Sequence, residues 1–216
     1  IELFLRPTIK NYMPNPNQIS DMEVAINRTL KGILNFETIG IFGDYDVDGA
    51  TSTALIAKYF LAINHPIYTY IPDRKKEGYG PNKKGIKKLV ENNCKIIFTV
   101  DCGSSSFDAI KFSQDEGADI IVLDHHQVDT SLPNAYAIIN PNRLDDKSEL
   151  NYLCAAGVCL MFLVALNKKL RDTKWFEKNN ISEPNIFNFL DLVCLGTVCD
   201  VVPLVGLNRA IVSQGL

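Results

Sequence analysis

Apolar runs rich in β-branched residues alternate along most of this chain with segments whose apolar residues recur at helical spacing. The strand-like runs are residues 38–42, 67–71, 95–100, 119–123 and 135–139, and the helix-like segments between them are 51–62, 82–92 and 105–116. Near-continuous apolar strands separated by helices are typical of a parallel sheet that is covered on both faces. The pattern therefore predicts a doubly wound α/β domain with a mainly parallel sheet.

The two ends of the chain depart from this alternation. Prolines at positions 7, 14 and 16 mark an irregular lead-in, and a helix is predicted over 21–34. After residue 142 the pattern turns helical, over 152–170, 185–195 and 207–216, with residues 167–180 expected to form an exposed connector or a frayed helix end. We therefore expect a lead-in (residues 1–35) that packs on the core of the main domain (residues 36–216).

Composition is ordinary for a globular protein with one sizeable core. Of 216 residues, 46% are hydrophobic and 22% are charged. The longest apolar run, residues 152–166, is shorter than the roughly 18 residues that a membrane span requires, and no signal peptide is recognisable. The chain begins with Ile rather than Met, so we expect a trimmed fragment. Six cysteines without a C-x-x-C pair favour reduced, mostly buried thiols over disulfides or structural zinc, and hence a cytoplasmic protein.

Charge is unevenly distributed. The net charge of −3 argues against a protein that coats nucleic acid by charge alone, but residues 73–88 hold seven basic and two acidic side chains. A basic strip on an acidic body indicates a local anion site. Within it, Arg74 would contact phosphate and Tyr79 would stack on a base. The alternative for the lysines at 83–88 is a solvated helix face.

Acidic and imidazole side chains follow three of the predicted strands directly. Asp44, Asp46 and Asp48 come after the first strand, Asp101 after the third, and an Asp124-His125-His126 triplet after the fourth. Ligands of open parallel sheets gather at the carboxyl ends of the strands. We therefore expect these side chains to meet at one edge of the sheet.

A divalent metal centre explains this convergence best. An aspartate after a strand is often only a helix cap, and a His-His pair is often a surface turn. Three coincidences at one edge are hard to assign to capping, because uncompensated carboxylates would raise one another's pKa. Asp200, inside the apolar run 196–204, is costly to bury unless it joins the cluster. Carboxylates with imidazoles and no thiolate suit Mn²⁺ or Mg²⁺, and a pair of such ions is typical of phosphoester hydrolysis.

Three further places in the sequence are candidates for phosphate contacts. Thr51 and Ser52 lie in a stretch of small residues that opens a predicted helix, and Gly103 and Ser104 follow Asp101. Helix N-termini of this kind bind phosphate, and plain capping is the alternative for both. Arg143 is the third candidate, and its alternative is a surface ion pair with an aspartate at 145 or 146.

Four ordered stretches resemble the motifs of the DHH phosphoesterase superfamily: residues 44–49 (DYDVDG), 100–101 (VD), 124–126 (DHH) and 196–204 (GTVCDVVPL). The resemblance covers essentially the whole chain. It implies two Mn²⁺ or Mg²⁺ ions held by Asp46, Asp48, Asp101, His125 and Asp200, with Asp101 as the bridge. It makes Asp44 a further ligand or an outer contact, the least certain of the first three aspartates. It also implies that His126 faces the substrate phosphate and that Asp124 orients the imidazoles.

Within that superfamily, the GDYDVDG and EGYG segments resemble the exonucleases that degrade single-stranded DNA. The resemblance implies a 5′-to-3′ exonuclease in DNA repair and recombination, acting on single-stranded DNA, and the polarity rests on the resemblance alone. It also implies a second, smaller domain and an oligonucleotide-binding fold beyond residue 216. We expect a monomer, and recruitment by a single-strand-binding protein stays open. The alternatives are a phosphodiesterase for short oligonucleotides or cyclic dinucleotides, and a catalytically inactive scaffold.

Overall fold

Five strands form one parallel sheet in the computed structural model, which describes residues 5–216. The strands are β1 (Thr38–Gly43), β2 (Ile67–Tyr70), β3 (Cys94–Val100), β4 (Asp119–Leu123) and β5 (Ala137–Ile139), in the order β2-β1-β3-β4-β5. Every pairing between neighbours is parallel. The predicted α/β fold is confirmed, and β5 begins two residues later than expected.

Helices cover both faces of the sheet. They are α1 (Ile9–Tyr12), α2 (Met22–Leu34), α3 (Val47–Ala62), α4 (Arg74–Glu77), α5 (Lys83–Glu91), α6 (Phe107–Asp115), α7 (Ala155–Asp172), α8 (Trp175–Asn179), α9 (Leu190–Cys199) and α10 (Gly206–Gly215), with 3₁₀ turns at Pro16–Gln18 and Ile186–Phe189. A large core lies under α2, α3, α7 and α9, and a smaller one lies under α5 and α6. Two-sided coverage explains why the central strands β1, β3 and β4 are buried along nearly their whole length.

Helix α3 begins four residues before the predicted start at 51. Asp46 caps it, because its side chain accepts a 2.9 Å hydrogen bond from the backbone N–H of Gly49. A Cβ on Gly49 would lie 2.6 Å from the carbonyl oxygen of Asp44, so only glycine allows the chain to turn this tightly. Asp46 and Asp48 are therefore helix-start residues as well as candidate ligands.

The prediction of an exposed connector at 167–180 is wrong for the buried residues of this segment. Helix α7 continues to Asp172, and within it Asn167 and Leu170 are buried. Trp175 and Phe176 pack in the large core. The Lys and Asn residues between them gave the segment a polar composition, while the buried minority decided its structure.

The lead-in packs on the large core through Ile9, Ile19 and Met22. Residues 1–4 lie outside the residues that the structure describes, and the domain boundary at residue 36 stays a prediction. All six cysteines are free thiols, and of these only Cys199 is exposed. Across residues 5–216, no helix combines the length and the apolarity needed to cross a membrane.

Candidate metal centre

The sheet register sets three aspartates side by side. Gly43 of β1 pairs with Val100 of β3, and Val100 pairs with Leu123 of β4, so the next residue of each strand reaches the same edge. The backbone ladder continues through them: the N–H of Asp44 donates to Val100, that of Asp101 to Leu123, and that of Asp124 to Ile139, over 3.0–3.3 Å. The predicted convergence of the strand ends is what the structure shows.

Asp124 is a buried carboxylate with a full set of donors. It accepts from the backbone N–H groups of Ser104, His125 and His126, and from His126 Nδ1 at 2.8 Å. Burial by itself would raise the pKa of Asp124, but the hydrogen bonds and charge of His126, with the bond from Ser104, lower it to about 2. Asp124 is therefore ionised, and it fixes the His126 ring with Nδ1 facing inward.

Asp101 is buried to the same extent in the opposite electrostatic setting. Burial and the nearby charges of Asp48 and Asp46 raise the pKa of Asp101 to about 10. Its backbone has a left-handed φ of 61°, an unusual conformation for a residue that is not glycine. Strained conformations of this kind are kept where the surrounding structure fixes them, often at functional sites.

His125 lies at the centre of a carboxylate ring. Its Nε2 is 3.3 Å from Asp101 Oδ1, 3.6 Å from Asp200 Oδ2 and 3.8 Å from Asp48 Oδ2. Asp200 follows the end of α9, and burial raises the pKa of its carboxyl, as it also does for Asp44 and Asp48. The apolar run after residue 196 thus delivers its aspartate to the cluster, as predicted.

The ligand atoms fall into three overlapping groups, in each of which all atoms lie within 4.8 Å of one another. The groups are Asp44, Asp46 and Asp101; Asp48, His125 and Asp200; and Asp101, His125 and His126. Asp101 and His125 each belong to two groups. This overlap is what two neighbouring ions with a shared ligand would require.

Unpartnered buried atoms show that the set fits a cation. Asp44 Oδ1, Asp101 Oδ1 and His125 Nε2 are buried and lack a hydrogen-bond partner among the described residues. A buried carboxylate oxygen without a partner is unfavourable, and a divalent ion satisfies several such atoms at once. Oxygen-rich donors with imidazole suit Mn²⁺ and Mg²⁺.

Helix α7 supports the site from below through Asp48. The two carboxylate oxygens of Asp48 accept from the backbone N–H groups of Ala155, at 2.6 Å, and Ala156, at 2.9 Å, at the helix N-terminus. Gly196 of α9 packs against this contact, since a Cβ there would lie 2.7 Å from Asp48 Oδ1. Ala155 and Ala156 are not among the predicted site residues, and the small residues that open a helix at 154–157 are the sequence signal that indicates them.

A sequence model of the DHH family N-terminal domain matches residues 38–197, a stretch that includes every predicted ligand except Asp200. The chain belongs to the DHH family. The single-stranded-DNA-specific exonuclease RecJ of Salmonella typhimurium is 38% identical over 213 residues, covering 98% of this chain and 37% of that protein. The chain therefore spans little more than a third of the length of that curated relative.

Solved structures agree with this placement. A crystal structure of exonuclease RecJ bound to manganese superimposes with a TM-score of 0.76 at 29% identity, covering 91% of this chain and 47% of that one. RecJ from Thermus thermophilus in complex with Mg²⁺ has a TM-score of 0.58 at 25% identity, covering 91% of this chain and 23% of that one. The first of these structures holds manganese and the second Mg²⁺, the two kinds of ion that the donor chemistry of this site favours.

The structure of this DHH domain does not place Thr51 and Ser52 where they would contact phosphate. Both are buried in the second turn of α3, and the Thr51 hydroxyl donates to the carbonyls of Val47 and Asp48. Because α3 starts at Val47, the N–H of Ala50 already donates to the carbonyl of Asp46, and the N–H groups after it donate to carbonyls of the helix. The cap of α3 is Asp46, so Thr51 and Ser52 are neither helix caps nor exposed phosphate donors in this structure.

Gly103 and Ser104 support the centre from behind. Gly103 has a φ of 116°, and a Cβ on it would lie 2.5 Å from Thr99 Oγ1, so the turn after Asp101 requires glycine. Ser104 is buried, and its backbone N–H donates a hydrogen bond to the carboxylate of Asp124. Their contribution in this structure is to hold Asp124, and a phosphate contact stays a prediction.

Arg143 follows the alternative given for it. Its guanidinium donates to Asp145, to Asp21 at 2.6 Å and to the carbonyl of Ile138, and the side chain is only 9% exposed. The predicted ion pair with an aspartate at 145 is present, and Asp21 is a second partner. Four of its five N–H groups donate to protein acceptors, so the structure favours the ion-pair alternative over the predicted phosphate contact.

Arg74 and Tyr79 lie beside the metal centre. The exposed guanidinium of Arg74 lies 5.1 Å from the ring centre of Tyr45. In the sequence, Tyr45 stands between the candidate ligands Asp44 and Asp46. The Tyr79 hydroxyl donates to the carbonyl of Asp101 at 3.2 Å and lies 3.3 Å from His126 Nδ1, while the residue is 55% exposed. Among the lysines of the strip, Lys84 pairs with Glu77 and Lys87 with Glu91, which favours the solvated face for these two.

Proposed function

We propose that this chain is the catalytic DHH domain of a metal-dependent 5′-to-3′ exonuclease that hydrolyses single-stranded DNA in DNA repair and recombination. One observation carries the proposal: seven acidic and imidazole side chains from four parts of the chain meet at one sheet edge and leave three buried ligand atoms without partners. The names of the relatives support DNA as the substrate.

The candidate ligands would divide between two ions. Asp44, Asp46 and Asp101 would hold one, and Asp48, His125 and Asp200 the other, with Asp101 shared. Bound Mn²⁺ or Mg²⁺ would supply Lewis-acid activation of a water molecule and of the phosphoryl oxygens. Of the two roles predicted for Asp44, ligand or outer contact, this assignment takes that of a ligand, because Asp44 is buried and its Oδ1 is unpartnered.

The groups around the ions would bind and orient the phosphodiester. Asp124 holds His126 by Nδ1, so Nε2 of the half-exposed ring, 3.5 Å from the Tyr79 hydroxyl, would donate to a phosphate oxygen. The hydrogen bond to Asp124 raises the pKa of His126, which favours the protonated, donating form. Arg74 would attract the DNA backbone from outside the centre, and Tyr79 offers an exposed ring to a base.

The test is a side-by-side assay of the 216-residue chain with Mn²⁺ and four substrates: 5′-labelled single strands, 3′-labelled single strands, a linear dinucleotide and pyrophosphate. We expect mononucleotide release first from the 5′-labelled strand, and none after chelation. Asp101→Ala should abolish turnover because it removes the shared ligand. Asp115→Ala, at the exposed end of α6, is the matched control and should retain activity.

Two outcomes would contradict the exonuclease. Hydrolysis confined to the dinucleotide would support the short-oligonucleotide phosphodiesterase instead. Mn²⁺ binding without hydrolysis of any substrate, both by this chain and by a longer protein with the domains expected beyond residue 216, would support the inactive scaffold. Release that begins at the 3′ label would refute the proposed polarity and leave the nuclease assignment standing.

A further inference from the structure

The segment Asn140-Pro141-Asn142, which follows β5, grips the loop that carries the two histidines. Asn140 is fully buried, and its Nδ2 donates to the carbonyl of His126 and to Ser104 Oγ, each at 2.9 Å. Its Oδ1 accepts from the N–H of Asn142 at 2.8 Å. Every polar atom of the Asn140 side chain is therefore in use.

Asn142 makes the corresponding contact on the other histidine. Its Nδ2 donates to the backbone carbonyl of His125, and its Oδ1 accepts from Gln127 Nε2 at 3.1 Å. The carbonyls of both histidines are thus tied to one short segment. That segment is itself fixed, since the N–H of Arg143 donates to the carbonyl of Asn140 and the Arg143 guanidinium bonds to Ile138 and Asp21.

The His125 ring depends on its backbone for its position. Its Nε2 has no hydrogen-bond partner among the described residues, although three carboxylates lie within 3.8 Å. The ring contacts the His126 ring, with 4.7 Å between the ring centres. A ligand whose ring lacks a hydrogen bond moves when its main chain moves, and displacements of a few tenths of an ångström matter to a metal centre.

We propose that Asn140 and Asn142 are positioning residues that set the affinity of the centre for its divalent ion by fixing the carbonyls of His126 and His125. This inference rests on the proposed metal-dependent function. Each position needs an amide, because it donates to a carbonyl and accepts from an N–H at once, and a carboxylate cannot donate.

Asn142 is the residue to test, since it is only partly buried and its substitution endangers folding less than that of Asn140. Mn²⁺ is titrated calorimetrically into the wild-type chain, Asn142→Ala and Asn142→Asp. We expect both variants to bind Mn²⁺ about 10- to 100-fold more weakly, the usual effect of losing a partner that orients a ligand. The melting temperature of the metal-free variants should fall by no more than about 4 °C, as for one lost hydrogen bond. Asn134→Ala, on the exposed loop before β5, is the control and should bind as the wild type does.

Asn142→Asp separates positioning from other roles. It keeps the size of the side chain and the acceptor for Gln127, and it replaces the donor to His125 by a negatively charged carboxylate oxygen. Added negative charge by itself favours Mn²⁺, so weaker binding in this variant indicates lost positioning. Affinity at or above the wild-type value in Asn142→Asp would overturn the inference, because packing or charge would then explain the site. Wild-type affinity in Asn142→Ala would overturn it as well. Absence of Mn²⁺ binding by the wild-type chain would instead refute the proposed function, and the inference with it.

Discussion

The carboxylate of Asp48 accepts a 2.6 Å hydrogen bond from the backbone N–H of Ala155, which lies 107 residues further along the chain. Asp48 is in the first turn of α3, and Ala155 is the first residue of α7. The N–H groups at the start of a helix stabilise negative charge, so the start of α7 opposes the burial that raises the pKa of Asp48. The metal centre therefore depends on how two helices pack.

Replacing Ala155 by proline should weaken Mn²⁺ binding by about tenfold or more, as the loss of an orienting partner does. Proline is tolerated at the first helical position, and Cys154 before it already has the extended backbone that proline requires. The substitution removes the N–H that Asp48 uses. Calorimetry measures the affinity, and circular dichroism checks that α7 is retained. Unchanged affinity in a folded variant would show that Ala156 alone suffices to hold Asp48.

Asp101→Asn should stabilise the metal-free protein and increasingly so as pH rises. The pKa of Asp101 is raised to about 10 in the folded state, whereas an aspartate in the unfolded chain has a pKa of about 4. The stability that the folded state gains by holding this proton is fully present below about pH 4 and is lost as pH rises toward about 10. Asparagine does not titrate, and it tolerates the left-handed backbone. The gain can reach at most about 1.4 kcal/mol per pH unit.

The measurement is urea unfolding of both proteins with chelator, from about pH 5 to about pH 8. The difference between the two free energies of unfolding is used, because groups remote from the site cancel in it. Excess Mn²⁺ should reverse the order by stabilising only the wild type. A difference that does not change with pH would show that Asp101 is not a buried, strained charge, and Asp115→Asn controls for loss of a carboxylate at an exposed position.

Asp124→Asn should have the opposite sign, although Asp124 and Asp101 are equally buried. An amide nitrogen at either carboxylate position would face an N–H of Ser104 or of the histidines, so one donor is left without an acceptor. The metal-free protein should lose about 1–3 kcal/mol of unfolding free energy at neutral pH, measured by the same urea titration. A stability equal to that of the wild type would refute the description of Asp124 as a fully satisfied anion.

Alanine substitutions of Arg143 and Arg74, both predicted from the sequence to contact phosphate, should affect different properties: protein stability and DNA binding, respectively. Arg143→Ala should lower the free energy of unfolding by about 2–4 kcal/mol, because it leaves the Ile138 carbonyl and two aspartates without their cation. Arg74→Ala should change stability by less than about 0.5 kcal/mol, since Arg74 is exposed. It should instead weaken binding of single-stranded DNA and reduce the salt dependence by about one unit of slope. The reverse pattern would restore Arg143 as the DNA contact.

Two substitutions at Tyr79 should distinguish its ring from its hydroxyl. If the ring stacks on a base, Tyr79→Phe keeps the affinity for labelled oligothymidine, and Tyr79→Ala lowers it about 5- to 150-fold, the equivalent of about 1–3 kcal/mol. Fluorescence anisotropy with chelator present measures binding without hydrolysis. Equal losses in both variants would assign the effect to the hydroxyl contact with Asp101.

Local sequence was sufficient for the elements and for the row of ligands. Strand and helix periodicity can be read within about ten residues, and parallel strands must deliver their next residues to one edge. Asp44, Asp101 and Asp124 could therefore be placed together by their positions after the strands. Even Asp200 could be assigned, because an aspartate inside an apolar run needs a partner.

The tertiary structure decided what each polar group is bonded to. Thr51 and Arg143 looked like phosphate ligands by residue type, but helix start and packing gave their donors to nearby carbonyls and to Asp21. The ligand role of Asp44 is supported by its burial and by its unpartnered Oδ1, properties that no spacing reveals. The sequence by itself determined an α/β sheet with acids and imidazoles at one edge, since these follow from local periods. Only the fold decided that Ala155 holds Asp48 and that Asn142 holds His125, because such bonds depend on the register between segments far apart in the chain.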